Sequence, residues 1–444
     1  MKHVGALPWR AGDARPMAYA APTRYALRDD GPRASPPRFR HYPLPMPSYA
    51  LYLVIFLLML PVTGMVPVLS ELTVGRYPDT GDFARHLFMS VNMVGALLAA
   101  PLAGLASDSL GRRVPLIAGA FVVNGVSLLL LAGDWSYPVL LALRFVEGCA
   151  HMTSLSLLMA LGADHARRDG LGAAMGGVGA AVSLGVACGA PLGGWLGAEE
   201  AVRVPWSGGW LMIALGALVL LGLRDAPAVG ERRSPRALVT ALTANRLLAV
   251  PYVFAFVDRL TVGFIVSTFS LYLGTVMGFS PARIGMVMAA FLVPFSVLTF
   301  PAGVLCRHFD RLAMMIVGSV LYGVFLVVLG FAPGESMILV MAAGGVVAAL
   351  MYAPSLVLTA ELAGPGQRAT TLAGFNVAGS LGFAIGPVLA GALVAAFRAG
   401  GWDPYQPVFV IIAAIEVGIA LAMVPLWLRR RAAGGVVQGV RDLR

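Results

Sequence analysis

Residues 104–113 read GLASDSLGRR and separate two long apolar runs of the chain. The glycine and charged positions in this stretch are Gly104, Asp108, Gly111, Arg112 and Arg113. A charged side chain at the middle of a bilayer costs at least ~2.5 kcal/mol, even on insertion scales that give low values. The stretch is therefore predicted to be a turn in water or among lipid headgroups, with a membrane-spanning helix on each side.

The composition of the whole chain also indicates an integral membrane protein. Hydrophobic residues make up 58% of it and charged residues 12%, and the mean hydropathy is +0.81. A soluble domain could not bury that much apolar surface. The three cysteines have no CxxC or CxxH spacing, so we expect no metal site and no cofactor. The sequence also lacks an ATP-binding loop and a nucleophile–base constellation, so an enzyme is not expected.

Twelve apolar segments follow one another along the chain, each near the length of about 20 residues that a membrane helix needs. We place them at residues 48–73, 86–107, 114–132, 138–162, 171–197, 208–223, 247–275, 284–305, 312–331, 336–360, 370–397 and 407–428. The predicted fold class is therefore all-α integral membrane, with twelve transmembrane helices.

Five parts are predicted from this pattern. Residues 1–47 hold eight basic residues and nine prolines without an apolar run, which predicts a disordered basic tail. Met17 and Met46 are candidate alternative starts, so the sequence leaves open whether residues 1–45 are translated. The other parts are a six-helix half at 48–223, a cytoplasmic linker at 224–246, a second six-helix half at 247–428 and a basic tail at 429–444.

The distribution of basic residues predicts the orientation. With both ends of the chain on the cytoplasmic side, the segments there carry 25 Lys and Arg residues, and the outer loops carry five. Lys and Arg collect in cytoplasmic loops, so both termini are expected inside the cell. The net charge of +10 then follows from topology, and no nucleic-acid partner is expected.

The two halves are related by a weak internal repeat. The turn that begins at Gly104 has an echo that begins at Gly303, and the glycine pattern that begins at Gly185 recurs from Gly382. The offsets are 199 and 197 residues, respectively. Such a repeat indicates two parallel six-helix units.

The turn at residues 104–113 resembles the signature between the second and third helices of the major facilitator superfamily. Five positions match, Gly104, Asp108, Gly111, Arg112 and Arg113, and Ala106, Ser107 and Ser109 depart from it. The resemblance implies a gate, in which Asp108 bridges to helix 11 and the two arginines join the same network. The alternative is a solvated turn that only sets topology.

Acidic and basic residues also follow the fourth and tenth segments at matching places. These are the predicted cytoplasmic pairs Asp164 with Arg168 and Glu361 with Arg368. They could take part in a gate at the cytoplasmic surface. As with the first turn, the alternative is a solvated topology signal.

The fourth segment carries Arg144, Glu147 and His151 at spacings that place all three on one helix face. The first two resemble the superfamily's helix-4 pattern Arg-x-x-Gln-Gly, in which the arginine is implicated in proton transfer. Ionisable residues within a membrane usually mark a transport pathway. Glu147 is therefore the candidate proton carrier. The alternatives are a permanent structural ion pair and a neutral, hydrogen-bonded His151.

Further polar residues are candidates for a substrate cavity. The seventh segment contains Asp258 and Arg259, which point about 100° apart on a helix, so one is expected to face the cavity and the other a neighbouring helix. The superfamily lines its path with helices 1, 4, 7 and 10, which adds Tyr272 and Tyr352. The remaining candidates, for which hydrogen bonds between helices are the alternative, are Asn92, Asn124, Asn376 and Glu416.

Small residues form a stripe on the fifth segment and again on the eleventh. The positions are Gly185, Gly189, Pro191, Gly193 and Gly194, and then Gly382, Gly386 and Pro387. The first set resembles the Gly-Pro-x-x-Gly-Gly signature of drug–proton antiporters, although its proline is one position late. Close helix packing in lipid is the alternative explanation for both sets.

These features predict a secondary active transporter that works by alternating access. The leading hypothesis is proton-coupled efflux of a drug-like or metabolite solute, and the alternatives are proton-coupled uptake of a nutrient and a non-transporting receptor or scaffold. The expected partners are a small-molecule solute, protons and the lipid bilayer. A monomer in the inner membrane of a bacterial cell is expected. The sequence does not identify the substrate.

Overall fold

The computed structural model describes residues 48–165, 171–225, 245–363, 368–429 and 431, and their regular secondary structure is helical. The helices are α1 Ser48–Gly64, α2 Asp82–Leu110, α3 Val114–Leu131, α4 Tyr137–His165, α5 Leu171–Leu196, α6 Arg203–Gly222, α7a Ala249–Phe264, α7b Ser270–Thr275, α8 Pro281–Leu305, α9 Arg311–Phe331, α10 Met337–Leu362, α11 Arg368–Ala399 and α12 Gln406–Ala422.

Eleven helical spans in this part of the chain are long and apolar enough to cross a bilayer. The apolar part of α1, Tyr49–Gly64, is shorter, and a π-helical turn at Glu71–Gly75 comes after it. A second π-helical turn, Ile265–Phe269, joins α7a to α7b. The first π turn thus follows the first helix of the first half, and the second π turn divides the first helix of the second half.

Some helices begin earlier than the apolar pattern predicts. α6 begins at Arg203 rather than at 208, because Pro205 lies in its first turn, where a missing backbone N–H costs nothing. α2 begins at Asp82 rather than at 86, since Asp82 pairs there with Arg85 and with Arg398 of α11. Apolar character alone could not show that these charged first turns are helical.

The same helix pairs pack together in both halves. In the first half these are α1 with α5, α2 with α4, and α3 with α6; in the second they are α7a with α11, α8 with α10, and α9 with α12. Contacts between the halves run mainly through α2 with α11 and α5 with α8. The repeat in sequence thus corresponds to a repeat in packing.

Glycines allow the closest of these approaches. A Cβ atom built on Gly382 would lie 1.9 Å from the Phe256 carbonyl oxygen of α7a, and one on Gly386 would lie 2.2 Å from that of Leu260. In the first half, Gly185 lies against the backbone of α1 in the same way, with its Cβ 2.5 Å from the Phe56 carbonyl oxygen. Small residues are favoured at such contacts because the hydrophobic effect does not drive helices together in lipid.

The halves meet at one end of the bundle, called here the closed end, where α2 and α8 begin. Ser270 donates a hydrogen bond of 2.6 Å to the Val66 carbonyl oxygen across the two halves. A Cβ on Gly194 would lie 2.4 Å from the Pro281 carbonyl oxygen. At the opposite end, the hairpin end that holds residues 104–113, a Cβ on Gly104 would meet no atom within 4 Å.

We expect Gly386→Ala to destabilise the protein, because the added methyl group overlaps the Leu260 carbonyl oxygen of α7a. Overpacking of this kind costs about 1–3 kcal/mol. The melting temperature of the purified protein should fall by several degrees. Gly418→Ala on α12 is the matched control, since a Cβ there meets nothing within 4 Å. Equal melting temperatures for the two variants would contradict the packing.

Candidate functional site

The charged centre of the first half is an ion pair within one turn of α4. Arg144 Nη1 lies 2.7 Å from Glu147 Oε2, and the side chains are 0% and 1% exposed. A buried ion is tolerated only when its hydrogen-bonding groups are satisfied. Arg144 Nε donates to the Phe88 carbonyl oxygen at 3.3 Å, and its guanidinium lies 4.6 Å from the centre of the Phe88 ring. The pair is thus sealed between α2 and α4.

Two glycines bring α2 close enough to α4 to reach this pair. A Cβ on Gly95 would lie 2.4 Å from the Phe145 carbonyl oxygen, and one on Gly148 would lie 2.0 Å from that of Asn92. The Asn92 amide nitrogen donates to Glu147 Oε2, the same oxygen that Arg144 contacts. Asn92 Oδ1 is buried without a hydrogen-bond donor. The site therefore holds one buried acceptor that is not satisfied.

His151 lies buried on the same face of α4, close enough to Arg144 to interact with its charge. Among the described residues it has no hydrogen-bond partner. The structure thus groups Arg144, Glu147 and His151, with Asn92 added from α2.

Arg259 is the charged centre of a second group, in the second half. Its Nη2 lies 3.4 Å from the Tyr352 hydroxyl of α10, and its guanidinium is 5.5 Å from the centre of that ring. Phe295 and Phe375 flank Tyr352, with ring centres at 5.6 and 6.3 Å. Arg259 is partly exposed, and it makes no ion pair within 4 Å with any described carboxylate. Arg259 is therefore a cation next to a cluster of aromatic rings.

Asp258 points elsewhere, into the bundle formed by α7a, α9 and α12. Its side chain is within hydrogen-bonding reach of the Glu416 carboxyl of α12. Both residues are buried, at 3% and 1% exposed. For Glu416, this contact agrees with the alternative of a hydrogen bond between helices. Nothing in the spacing of the two residues, which lie in different helices, indicated that they meet.

Arg113 is the most connected residue described at the hairpin end. Gly111 ends α2 in a left-handed conformation with φ of 63°, which turns the chain toward α3. Arg113 then pairs with Asp164 of α4 at 2.7 Å and donates to Ser107 Oγ at 2.8 Å. Its backbone N–H donates to Asp225 at 2.7 Å. The roles of Ser107 and Asp225 were not predicted, because Asp225 follows the end of α6 and caps the start of α3 from a distant part of the chain.

The two acidic residues near this end pair with arginines that their spacing in sequence did not indicate. Asp164 of α4 pairs with Arg113 at 2.7 Å, and Glu361 of α10 pairs with Arg311 at 2.8 Å, so each carboxylate meets the arginine at the start of the preceding helix, α3 or α9. Arg168 lies outside the described residues. The side chains of Arg368 and Asp108 are not among those described, so the predicted bridge from Asp108 to helix 11 stays a prediction.

The other candidates lie apart from these groups. Asn124 is buried on α3 with both amide atoms lacking a partner. Tyr272 packs against Tyr405 and Phe409 near the closed end, with ring centres 5.5 Å away in each case. Asn376 is exposed on α11. In the small-residue stripes, Gly189 and Gly193 contact α1, and the Pro387 ring lies beside Gly263 of α7a, while Pro191 lies near Gly285 of α8.

We expect Arg113→Ala to destabilise the protein more than Arg112→Ala. Arg113 holds together α2 and α4, whereas Arg112 is exposed. The Arg113–Asp164 ion pair is partly buried, so its contribution lies between those of exposed and fully buried pairs. Its loss should lower the free energy of unfolding by about 1–3 kcal/mol. Thermal unfolding of the two purified variants measures this. An equal effect of the two substitutions would show that Arg113 is not the hub of the hairpin end.

Comparisons with known proteins agree with this architecture. The family model described as Major Facilitator Superfamily matches residues 51–257 and, separately, residues 251–442. The 3-(3-hydroxy-phenyl)propionate transporter of Escherichia coli (strain K12) is 30% identical over 315 residues, or 69% of this chain and 76% of that protein.

Solved structures share the fold at low sequence identity. The crystal structure of the nucleoside transporter NupG has a TM-score of 0.71 at 14% identity and covers 86% of this chain and 98% of that one. The D-xylose-proton symporter has a TM-score of 0.67 at 17% identity, with 85% and 96% covered.

Proposed function

The chain belongs to the major facilitator superfamily, and from this premise we propose that it is a proton-coupled secondary active transporter of a small organic anion. It is a multi-pass membrane protein, and its relatives are transporters. The Arg144–Glu147–Asn92 cluster is the observation that carries the proposal of proton coupling. Arg259 and its aromatic neighbours carry the proposal of an organic anion.

The membrane topology we propose has twelve spans, with α1 and its following π turn as the first. Both ends of the chain lie in the cytoplasm, as the excess of arginine on the hairpin side supports. The closed end then faces away from the cytoplasm. A monomer in the bacterial inner membrane, with two six-helix halves, completes this proposal.

Proton coupling needs a carboxyl group that is stable both with and without its proton. When Glu147 is ionised, Arg144 and the Asn92 amide nitrogen both bind it. When it is protonated, a rotation of the Asn92 amide would present Oδ1 as the acceptor for the new O–H group. That oxygen has no donor in the present state. The cluster thus offers hydrogen bonds to both forms, which a permanent ion pair would not need.

Exchange of the proton requires a second conformation, because Glu147 is 1% exposed. In an alternating-access cycle, rocking of the two halves would expose the cluster to one side and then the other. A proton that moves through 100 mV supplies about 2.3 kcal/mol, which is enough for a solute gradient of more than tenfold.

The proposed substrate class follows from Arg259. A partly exposed guanidinium in a membrane helix must face water or protein rather than lipid, because charge in the hydrocarbon is costly. A carboxylate is a strong partner for a guanidinium, and the rings of Tyr352, Phe295 and Phe375 would suit an aromatic or otherwise apolar body. The Escherichia coli relative is named for the transport of an aromatic carboxylate, which supports the same class.

We propose export as the direction, following the resemblance of the fifth-helix motif to that of antiporters. Uptake is the alternative, because contacts of Gly185, Gly189 and Gly193 with α1 account for that motif by packing alone. A bacterial host without its own pumps, expressing this protein, distinguishes the two on a panel of toxic organic acids. Resistance that is lost with Glu147→Gln supports export, whereas increased sensitivity supports uptake.

Glu147→Gln should abolish transport against a gradient and leave solute exchange intact. Glutamine keeps the hydrogen bonds of a protonated carboxyl but cannot release a proton. The test uses proteoliposomes with an imposed pH gradient and a labelled toxic acid from the panel, with counterflow measured in parallel. Glu200→Gln is the matched control, since Glu200 is exposed in a loop beside Arg203. Uphill transport that persists in Glu147→Gln would exclude Glu147 as the proton carrier.

Arg259→Ala should weaken binding of 3-phenylpropionate by about 10- to 100-fold. This factor corresponds to the free energy of about one charge-assisted hydrogen bond. Titration of the purified protein measures the dissociation constant. Arg283→Ala is the control, because Arg283 lies at the closed end, stacked 3.7 Å from the centre of the Phe279 ring. If the two variants bind the probe equally well, Arg259 is not the anion site.

A further inference from the structure

The Asp258–Glu416 pair is a buried feature that the proposed transport cycle does not use. The two buried carboxyls come from α7a and α12 and lie within hydrogen-bonding reach of each other. Two ionised carboxylates have only acceptor atoms, so a hydrogen bond between them requires a proton. Both oxygens of Asp258 and one of Glu416 otherwise lack a donor in the described structure.

A third buried group, a tyrosine hydroxyl, lies near this pair. Tyr322 of α9 is 0% exposed, and its hydroxyl, near that of Thr261, has no hydrogen bond of good geometry. It lies close enough to Asp258 and Glu416 to interact with their charge. A buried tyrosine hydroxyl usually has a partner. Here it is held beside the pair as a donor that could serve an ionised carboxylate.

The surroundings of the pair contain one further charge, that of Arg259, next to Asp258 in α7a. Ser319 of α9 hydrogen-bonds Glu416. From the neighbouring helices, Met351 of α10 contacts Ser319 and Gly379 of α11 lies against Arg259. Neither residue carries a charge. Two carboxyls with one shared proton carry a single negative charge, which Arg259 balances.

We infer that Asp258 and Glu416 form a second proton-binding site, in which the two carboxyls share one proton. The number of protons bound at this site changes with the charge at Arg259. The site is separate from Glu147, which lies in the first half. An anion bound at Arg259 would leave the pair's negative charge unbalanced and so favour uptake of a second proton. This last step rests on the proposed organic-anion substrate.

Helix 7 has a place where such a change could move the backbone. The π-helical turn Ile265–Phe269 begins two turns after Asp258. Turns of this kind are rare and often lie at functional sites, because their hydrogen bonding is easily rearranged. Asp258 and Arg259 are therefore on a helix that has a built-in point of adjustment.

Infrared difference spectroscopy of the purified full-length protein tests the shared proton directly. Between acidic and alkaline pH, we expect a band of a protonated carboxyl that is lost in both Asp258→Asn and Glu416→Gln and is retained in Glu147→Gln. A band lost in only one of the two variants, or no such band in the unchanged protein, would overturn the site. A band that responds to sodium at constant pH would assign the pair to that ion instead.

A second measurement does not depend on the folding of the Asp258 and Glu416 variants, and it tests the link between the carboxyl pair and Arg259. The unchanged protein is mixed with 3-phenylpropionate in weak buffer, and we expect close to one proton taken up for each anion bound, with Arg259→Ala showing none. Binding without proton uptake would overturn the link. If the probe does not bind at all, the proposed substrate class fails, while the infrared band still decides the proton site.

Discussion

The fully buried charge of Arg144, within the membrane-spanning part of this protein, must be neutralised by a neighbour, and the placement of α2 against α4 reflects that constraint. Arg144 is 0% exposed, and a bare guanidinium at that depth would cost far more than the few kcal/mol by which proteins are stable. Glu147 balances it, and the close contact of α2 through Gly95 and Gly148 supplies the remaining hydrogen bonds. The close packing of α2 on α4 thus surrounds the ion pair, and the pair also requires this packing to complete its hydrogen bonds.

The two halves share a scaffold and differ in the charges it holds. Their helix pairs match, and the bridges Arg113–Asp164 and Arg311–Glu361 occupy equivalent places near the hairpin end. Within the membrane, the first half buries a complete ion pair, whereas the second buries two carboxyls and leaves one arginine partly exposed. Protonation of Glu147 removes the counter-charge of Arg144 and so must be accompanied by a change in their surroundings, whereas an exposed cation can accept an anion directly. This difference supports the proposed arrangement, with one proton site at Glu147 in the first half and the solute, beside the second proton site, in the second half.

The sequence predicted features that depend on composition and local spacing, and it missed those that depend on contact between distant helices. Apolar runs located the helices, although α1 ends at Gly64 rather than at 73 and α2 continues to Leu110 through most of the predicted turn. Spacing placed Arg144 and Glu147 on one face. The donation from Asn92 to Glu147 depends on two glycines in different helices, and the meeting of Asp258 with Glu416 joins positions far apart in the chain. The contacts of Asp164 with Arg113 and of Glu361 with Arg311 likewise join positions about 50 residues apart, and the spacing in sequence did not indicate them.

Helix α2 connects the parts that would have to move together. Near its start, His86 packs against Gly391 of α11 and Asp82 pairs with Arg398, which are contacts between the halves at the closed end. In its middle, Asn92 binds Glu147. Loss of the charge on Glu147 removes the attraction that holds this amide, so it changes the force on α2 itself. Under the proposed coupling, protonation of Glu147 can act on the closed end without a chain of intermediates, because α2 touches both Glu147 and the opposite half.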